Sequence, residues 1–77
     1  MAGRGKRPAS GFGGRLRAIR QEKRLSQREL AEEAGCNTNT LAKLERGEQE
    51  PVWPLVLALA RALGVEVTAF VVEGEPR

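Results

Sequence analysis

The sequence predicts an all-α protein of short, closely packed helices, and three observations carry that prediction. Apolar residues recur at three- and four-residue spacings from Phe12 to Leu63. Helix starters and stoppers punctuate them, with Ser26, Asn37 and Pro54 at starts and Gly35, Gly47 and Gly64 at ends. The apolar content of 40% includes only two Phe and one Trp, so Leu, Val and Ala must fill the core. A chain of 77 residues amounts to one domain with a small core.

Residues 1–11, "MAGRGKRPASG", hold Gly, Pro, Ser and basic residues with too little apolar surface to pack, which predicts a flexible basic arm. The first helix starts at Phe12 or Gly13 and ends near Arg24, with Phe12, Leu16, Ile19, Arg20 and Lys23 on one stripe. Ser26 opens the second helix. With Glu29 it spells S-x-x-E, a capping box in which the hydroxyl accepts from a backbone N–H and the glutamate reaches back. Gln27, Leu30, Ala31 and Ala34 form one face of that helix, and Gly35 suits a left-handed terminus. Asn37 caps the third helix, Leu41 and Leu44 point inward, and Gly47 ends it before the loop "EQEP". The fourth helix covers Trp53–Leu63, with Pro54 tolerated in its first turn. Val65–Val72 fits two patterns. Val67, Phe70 and Val71 suit a short helix, while Val65, Val67, Ala69 and Val71 suit a strand; the helical neighbours favour the helix. The organisation is therefore an arm (1–11), one domain (12–72) and a polar tail (73–77).

The net charge of +3 hides an asymmetry. Up to Arg28 the chain carries Arg4, Lys6, Arg7, Arg15, Arg17, Arg20, Lys23, Arg24 and Arg28 against Glu22 alone; beyond it glutamates dominate. That fits either a polyanion partner on the basic side or a solvated tail with ordinary helix charges. Histidine and aspartate are absent, which rules out a Ser-His-Asp triad and a histidine metal site. No catalytic constellation, cofactor or metal is expected. Cys36 has no partner for an internal disulfide and reads either as a small buried hydrophobe or as a redox switch. The longest apolar run, Leu55–Ala60, is far too short to span a membrane, and no hydrophobic stretch follows the basic start as in a signal peptide. A cytoplasmic protein without membrane contact is expected.

Between Ser26 and Gly47 two short helices meet at the corner Gly35–Cys36–Asn37, the layout of a helix-turn-helix. Ala31 must be small where the second helix of the pair crosses it, and Leu30, Leu41 and Leu44 must face inward together. With those leucines inside, Asn39, Ala42, Lys43 and Arg46 form the opposite stripe, and Thr38 sits beside it. A carboxamide, a hydroxyl, an ammonium and a guanidinium are the groups that bond base edges and phosphates. No acid interrupts the stripe.

These residues resemble the phage-repressor/Cro-like (XRE-type) helix-turn-helix DNA-binding family. "LRAIRQEKRLSQRELAEEAG", "NTNTLAKLERG", Pro51 and "LALARALGV" carry the resemblance, which spans about Phe12 to Phe70. It implies a lambda-repressor-like bundle of five short helices whose third helix, Thr38–Arg46, enters the major groove of double-stranded DNA. It implies that Thr38, Asn39 and Lys43 read bases and that Gln27, Arg28, Asn37 and Arg46 contact phosphates. It also implies a buried Arg20–Glu45 pair. The sequence supports that pair independently, since Arg20 lies on the apolar stripe beside Ile19 and Glu45 flanks the inward Leu41.

Departures from the family are Val52 and Glu66, where capping residues usually stand, and Cys36, usually a small aliphatic. The arm residues Arg4, Lys6 and Arg7 suit either DNA tracking or solubility. Trp53 and Leu57 fall near the polar side of the fourth helix, marked by Arg61. They form either a partner surface, for a homodimer or another protein, or the packing surface of Val65–Val72. The function that emerges is sequence-specific DNA binding in transcriptional regulation. The alternatives are an antitoxin whose apolar C-terminal half grips a toxin and an adaptor that uses the fold without reading DNA.

Overall fold

The computed structural model describes residues 11–70. Its elements are α1 (Phe12–Glu22), α2 (Gln27–Ala34), α3 (Thr38–Arg46), α4 (Trp53–Leu63) and a 3₁₀ turn (Val67–Phe70). The arm cations Arg4, Lys6 and Arg7, the residues Val71 and Val72, and the tail 73–77 lie outside the described residues. The expected fifth helix is this single 3₁₀ turn, closed by the Ala69 N–H donating to the Glu66 carbonyl at 2.9 Å. Glu66 caps nothing there, and four residues are too few to sustain an α-helix.

Local chemistry sets the helix ends. Ser26 and Glu29 complete the capping box: the Glu29 N–H donates to Ser26 Oγ at 3.0 Å, and the Ser26 N–H to Glu29 Oε1 at 2.8 Å. Asn37 Oδ1 accepts from the Asn39 N–H at 2.7 Å and caps α3. α4 has no side-chain cap, because Val52 offers no acceptor, and it starts on Trp53 with Pro54 in its first turn. α2, α3 and α4 each stop at a glycine of positive φ, and the next N–H bonds back across the last turn. α1 closes identically on Arg24 (φ 60), with the Leu25 N–H donating to the Arg20 carbonyl at 3.2 Å. The helix therefore ends at Glu22, two residues before the expected point, and a residue with a Cβ bears the left-handed conformation at a cost of about 1 kcal/mol.

Each helix contributes leucine to one core: Leu16 from α1, Leu30 from α2, Leu41 and Leu44 from α3, and Leu59 from α4 are fully buried. Burial of each is worth about 1.5–3 kcal/mol. α1 packs on α3, α2 packs on α3 and α4, and the 3₁₀ turn rests on α1 and α4. Phe12 and Phe70 meet at a ring separation of 4.9 Å, and Arg15 Nε donates to the Ala69 carbonyl at 3.2 Å. The first turn of α1 lies directly on the end of α3. A Cβ on Gly13 would collide with the Leu44 carbonyl oxygen and come within 2.9 Å of that of Glu45. No described helix is long and apolar enough to cross a membrane.

Candidate nucleic-acid interface

α3 is oriented from its buried side. Leu41 and Leu44 are locked into the core, which leaves Thr38, Asn39, Lys43 and Arg46 exposed and Ala42 half-buried between them. The corner Gly35–Cys36–Asn37 joins it to α2, with Ala31 buried beneath the crossing.

Glu45 anchors the helix from behind. Its carboxylate accepts from Arg20 Nε at 2.6 Å and Nη2 at 3.0 Å, a side-on bidentate pair with side chains 11% and 3% exposed. Arg20 Nη1 donates to the Leu25 carbonyl at 2.9 Å, which ties the pair to the loop after α1. Gln27 Nε2 donates to Glu45 Oε1 at 3.0 Å, so one carboxylate links α1, α2 and α3. Gln27 thus braces the anchor here, and only its amide oxygen and second amide proton remain for a ligand.

The other candidate phosphate contacts are differently engaged. Arg28 Nε lies 3.4 Å from Glu32 on exposed helix surface. Asn37 uses its oxygen as a cap and keeps its amide N–H₂. Arg46 makes a second bidentate pair, Nε to Glu48 Oε2 at 2.8 Å and Nη2 to Oε1 at 3.0 Å. Through this bond the Glu48 carboxylate raises the affinity of Arg46 for its proton, and the Arg46 guanidinium holds the Glu48 carboxyl below its ordinary value. Sequence reasoning missed Glu48, whose engagement with Arg46 depends on how the side chain folds back across Gly47. It also missed the close approach at Gly13, for which a lone sequence gives no signal.

Cys36 is half-buried against the core, and burial pushes its thiol up from the ordinary value. Among the described residues no group of three or more His, Cys, Asp and Glu side chains is placed to hold a metal. At the start of α4 and along it, Val52, Trp53 and Leu57 are 63%, 61% and 44% exposed. Leu57 borders an open groove with Pro54, Ala58, Val65 and Val67.

The family model for a helix-turn-helix domain matches residues 12–69. The chain belongs to the helix-turn-helix family. This helix-turn-helix domain is 43% identical over 61 residues to the immunity repressor protein of Bacillus phage phi105, covering 79% of this chain and 42% of the repressor. It is 34% identical over 64 residues to the cryptic phage CTXphi transcriptional repressor RstR of Vibrio cholerae, covering 83% of this chain and 58% of that protein. The chain thus spans about half the length of these two curated relatives. Among solved structures, the restriction-modification controller protein C.AhdI from Aeromonas hydrophila superposes with a TM-score of 0.77 at 37% identity, over 78% of this chain and 91% of that one.

Proposed function

We propose that this helix-turn-helix domain binds double-stranded DNA sequence-specifically and acts in transcriptional regulation, with α3 in the major groove. The observation that carries the reading is the exposed stripe Asn39–Lys43–Arg46, turned outward by a helix whose opposite face is clamped by Arg20 and Glu45. Asn39 and Lys43 lie one turn apart, within reach of neighbouring base pairs. A carboxamide pairs with adenine and a lysine suits the two acceptors of guanine. Thr38 sits at the entry of the same helix. Gln27, Arg28, Asn37 and Arg46 serve as phosphate contacts, with Gln27 limited to the atoms Glu45 leaves free. The relatives named as repressors support this reading, and DNA as the ligand implies a cytoplasmic site of action.

The test is binding selection on variants at two salt concentrations. Asn39→Ala and Lys43→Ala should each cost about 1–3 kcal/mol on the preferred site and relax preference at one position. Arg46→Ala should weaken all sequences evenly and flatten the salt dependence by roughly one unit of slope. Retention of the wild-type preference by both Asn39→Ala and Lys43→Ala would sink the assignment of α3 as the reader.

The exposed Val52–Trp53–Leu57 surface favours a second element of the reading, a homodimer. Arg61 and Glu66 border the adjoining groove, so a two-fold arrangement can set opposite charges across it. Two half-sites one helical turn apart, about 34 Å, need two recognition helices. Leu57→Glu should leave a folded monomer that binds a two-half-site duplex far more weakly. Sedimentation of wild-type protein as a monomer at high concentration would argue against the dimer and for a different protein partner, such as a toxin.

A further inference from the structure

An acidic residue stands where a DNA-binding surface has least use for one. Glu48 stands just past Gly47, which closes α3, and so lies near the negative end of its helix dipole, which disfavours a carboxylate. Its place is imposed by the helix closure. Gly47 takes φ 78, and the Glu48 N–H donates to the Lys43 carbonyl at 2.9 Å. The side chain is thereby folded back over the last turn of α3. There both carboxylate oxygens accept from Arg46, side-on, at 2.8 and 3.0 Å. The Arg46 bond holds the Glu48 carboxyl below its ordinary value, and the charge of Lys43 adds weakly in the same direction. The arrangement is the one a backbone phosphate adopts on arginine, with two parallel N–H···O bonds to two oxygens of one anion. Unlike Glu45, Glu48 remains open to replacement, since its side chain is 54% exposed and that of Arg46 56%.

Building on the DNA-binding reading above, we propose that Glu48 is a positioning residue that sets the affinity for duplex DNA. Its carboxylate holds the Arg46 guanidinium in the free protein as a stand-in for phosphate, and a DNA phosphate displaces it when the complex forms. The exchange keeps Arg46 extended and ordered for an anion. It also subtracts from every complex the free energy of the pair and leaves a displaced negative charge near the duplex. Because phosphates carry no base identity, the subtraction is the same for all sequences. Glu48 thus acts on occupancy and salt response and leaves sequence preference untouched.

The test is a double-mutant cycle read by fluorescence anisotropy on two labelled duplexes, one random and one carrying the selected site, across a salt series. Glu48→Gln keeps the shape of the side chain and removes its charge. It should tighten binding to both duplexes by the same factor, about two- to fivefold at low salt, and steepen the salt dependence by up to roughly one unit. In an Arg46→Ala background the same change should have no comparable effect. Weakened or unchanged binding by Glu48→Gln overturns the proposal. So does equal tightening in the Arg46→Ala background, which would mean a general charge effect without displacement. Tightening on one duplex alone would make Glu48 a base reader and also overturn it. In each of these cases DNA binding itself stands. Wild type and Glu48→Gln both inert toward either duplex at all salt concentrations would overturn the DNA-binding reading, and this proposal with it. Thermal melts of each variant confirm that folded protein is compared.

Discussion

α3 carries two Arg–Glu pairs of nearly the same geometry and opposite character. Arg20–Glu45 and Arg46–Glu48 are both side-on and bidentate, with contacts of 2.6 and 3.0 Å in the first and 2.8 and 3.0 Å in the second. Distance therefore does not separate them. Surroundings do: the first pair is almost wholly enclosed and shares its atoms with Leu25 and Gln27, while the second is more than half open to solvent and has no further hydrogen-bond partner among the described residues. Removing one member of an enclosed pair strands a charge that water cannot reach. Removing one member of an open pair exposes the other to solvent, which replaces most of what is lost. One pair thus fixes where α3 sits, and the other is free to exchange on its outer face.

The largest effect should come from breaking the enclosed pair. Arg20→Ala is expected to cost about 2–4 kcal/mol, because Glu45 keeps only Gln27 and the Leu25 carbonyl loses its donor. Replacing Arg20 and Glu45 together by an apolar pair of similar volume should cost less than that single change, yet not return to wild type, since Leu25 and Gln27 still lose their partners. Chemical denaturation of the three proteins tests this. An Arg20→Ala protein as stable as wild type would show that the clamp does not position α3.

A second variant probes the same contact from the backbone. Gly13→Ala should destabilise by about 1–3 kcal/mol, since the new methyl has no room against the carbonyls of Leu44 and Glu45 and α1 must lift away. Gly14→Ala is its control: a Cβ there meets nothing within 4 Å, and alanine favours the helix. Gly14→Ala should therefore leave stability equal or slightly raised. Similar losses at both positions would mean that helix flexibility, and not the approach to Glu45, explains the glycines.

The sequence made the enclosed pair legible and hid the open one. The family resemblance implied the pair, and an arginine on an apolar stripe and a glutamate beside an inward leucine supported it. Periodicity and caps likewise placed α2, α3 and α4, because serine–glutamate, asparagine and glycine have few other uses at those spacings. The end of α1 was harder, since Arg24 takes a conformation that its identity does not advertise. The segment after Gly64 was ambiguous because its alternate and every-third positions are both apolar, and tertiary packing of Phe70 on Phe12 decides its form. Of the site, the face of α3 followed from its inward leucines. The prior engagement of Gln27 by Glu45 and of Arg46 by Glu48 depends on side-chain placement across a turn or between helices. A residue list does not encode that directly.

The smallest expected effect is the one that most sharpens the contrast. Glu48→Gln should lower the neutral-pH melting temperature only slightly, although it abolishes a bidentate pair as well formed as the buried one. Any residual contribution has a definite sign with pH. Arg46 holds the Glu48 carboxyl below its ordinary value, so the pair's contribution is present in full above that ordinary value and is lost progressively as pH falls through the lowered one. Wild type and Glu48→Gln should therefore converge further in acid, never diverge. Melts of the two proteins from neutral to acid pH check this. A clear loss of stability in Glu48→Gln at neutral pH that vanishes in acid would show that Arg46–Glu48 is part of the scaffold, and that the open pair does the same structural work as the enclosed one.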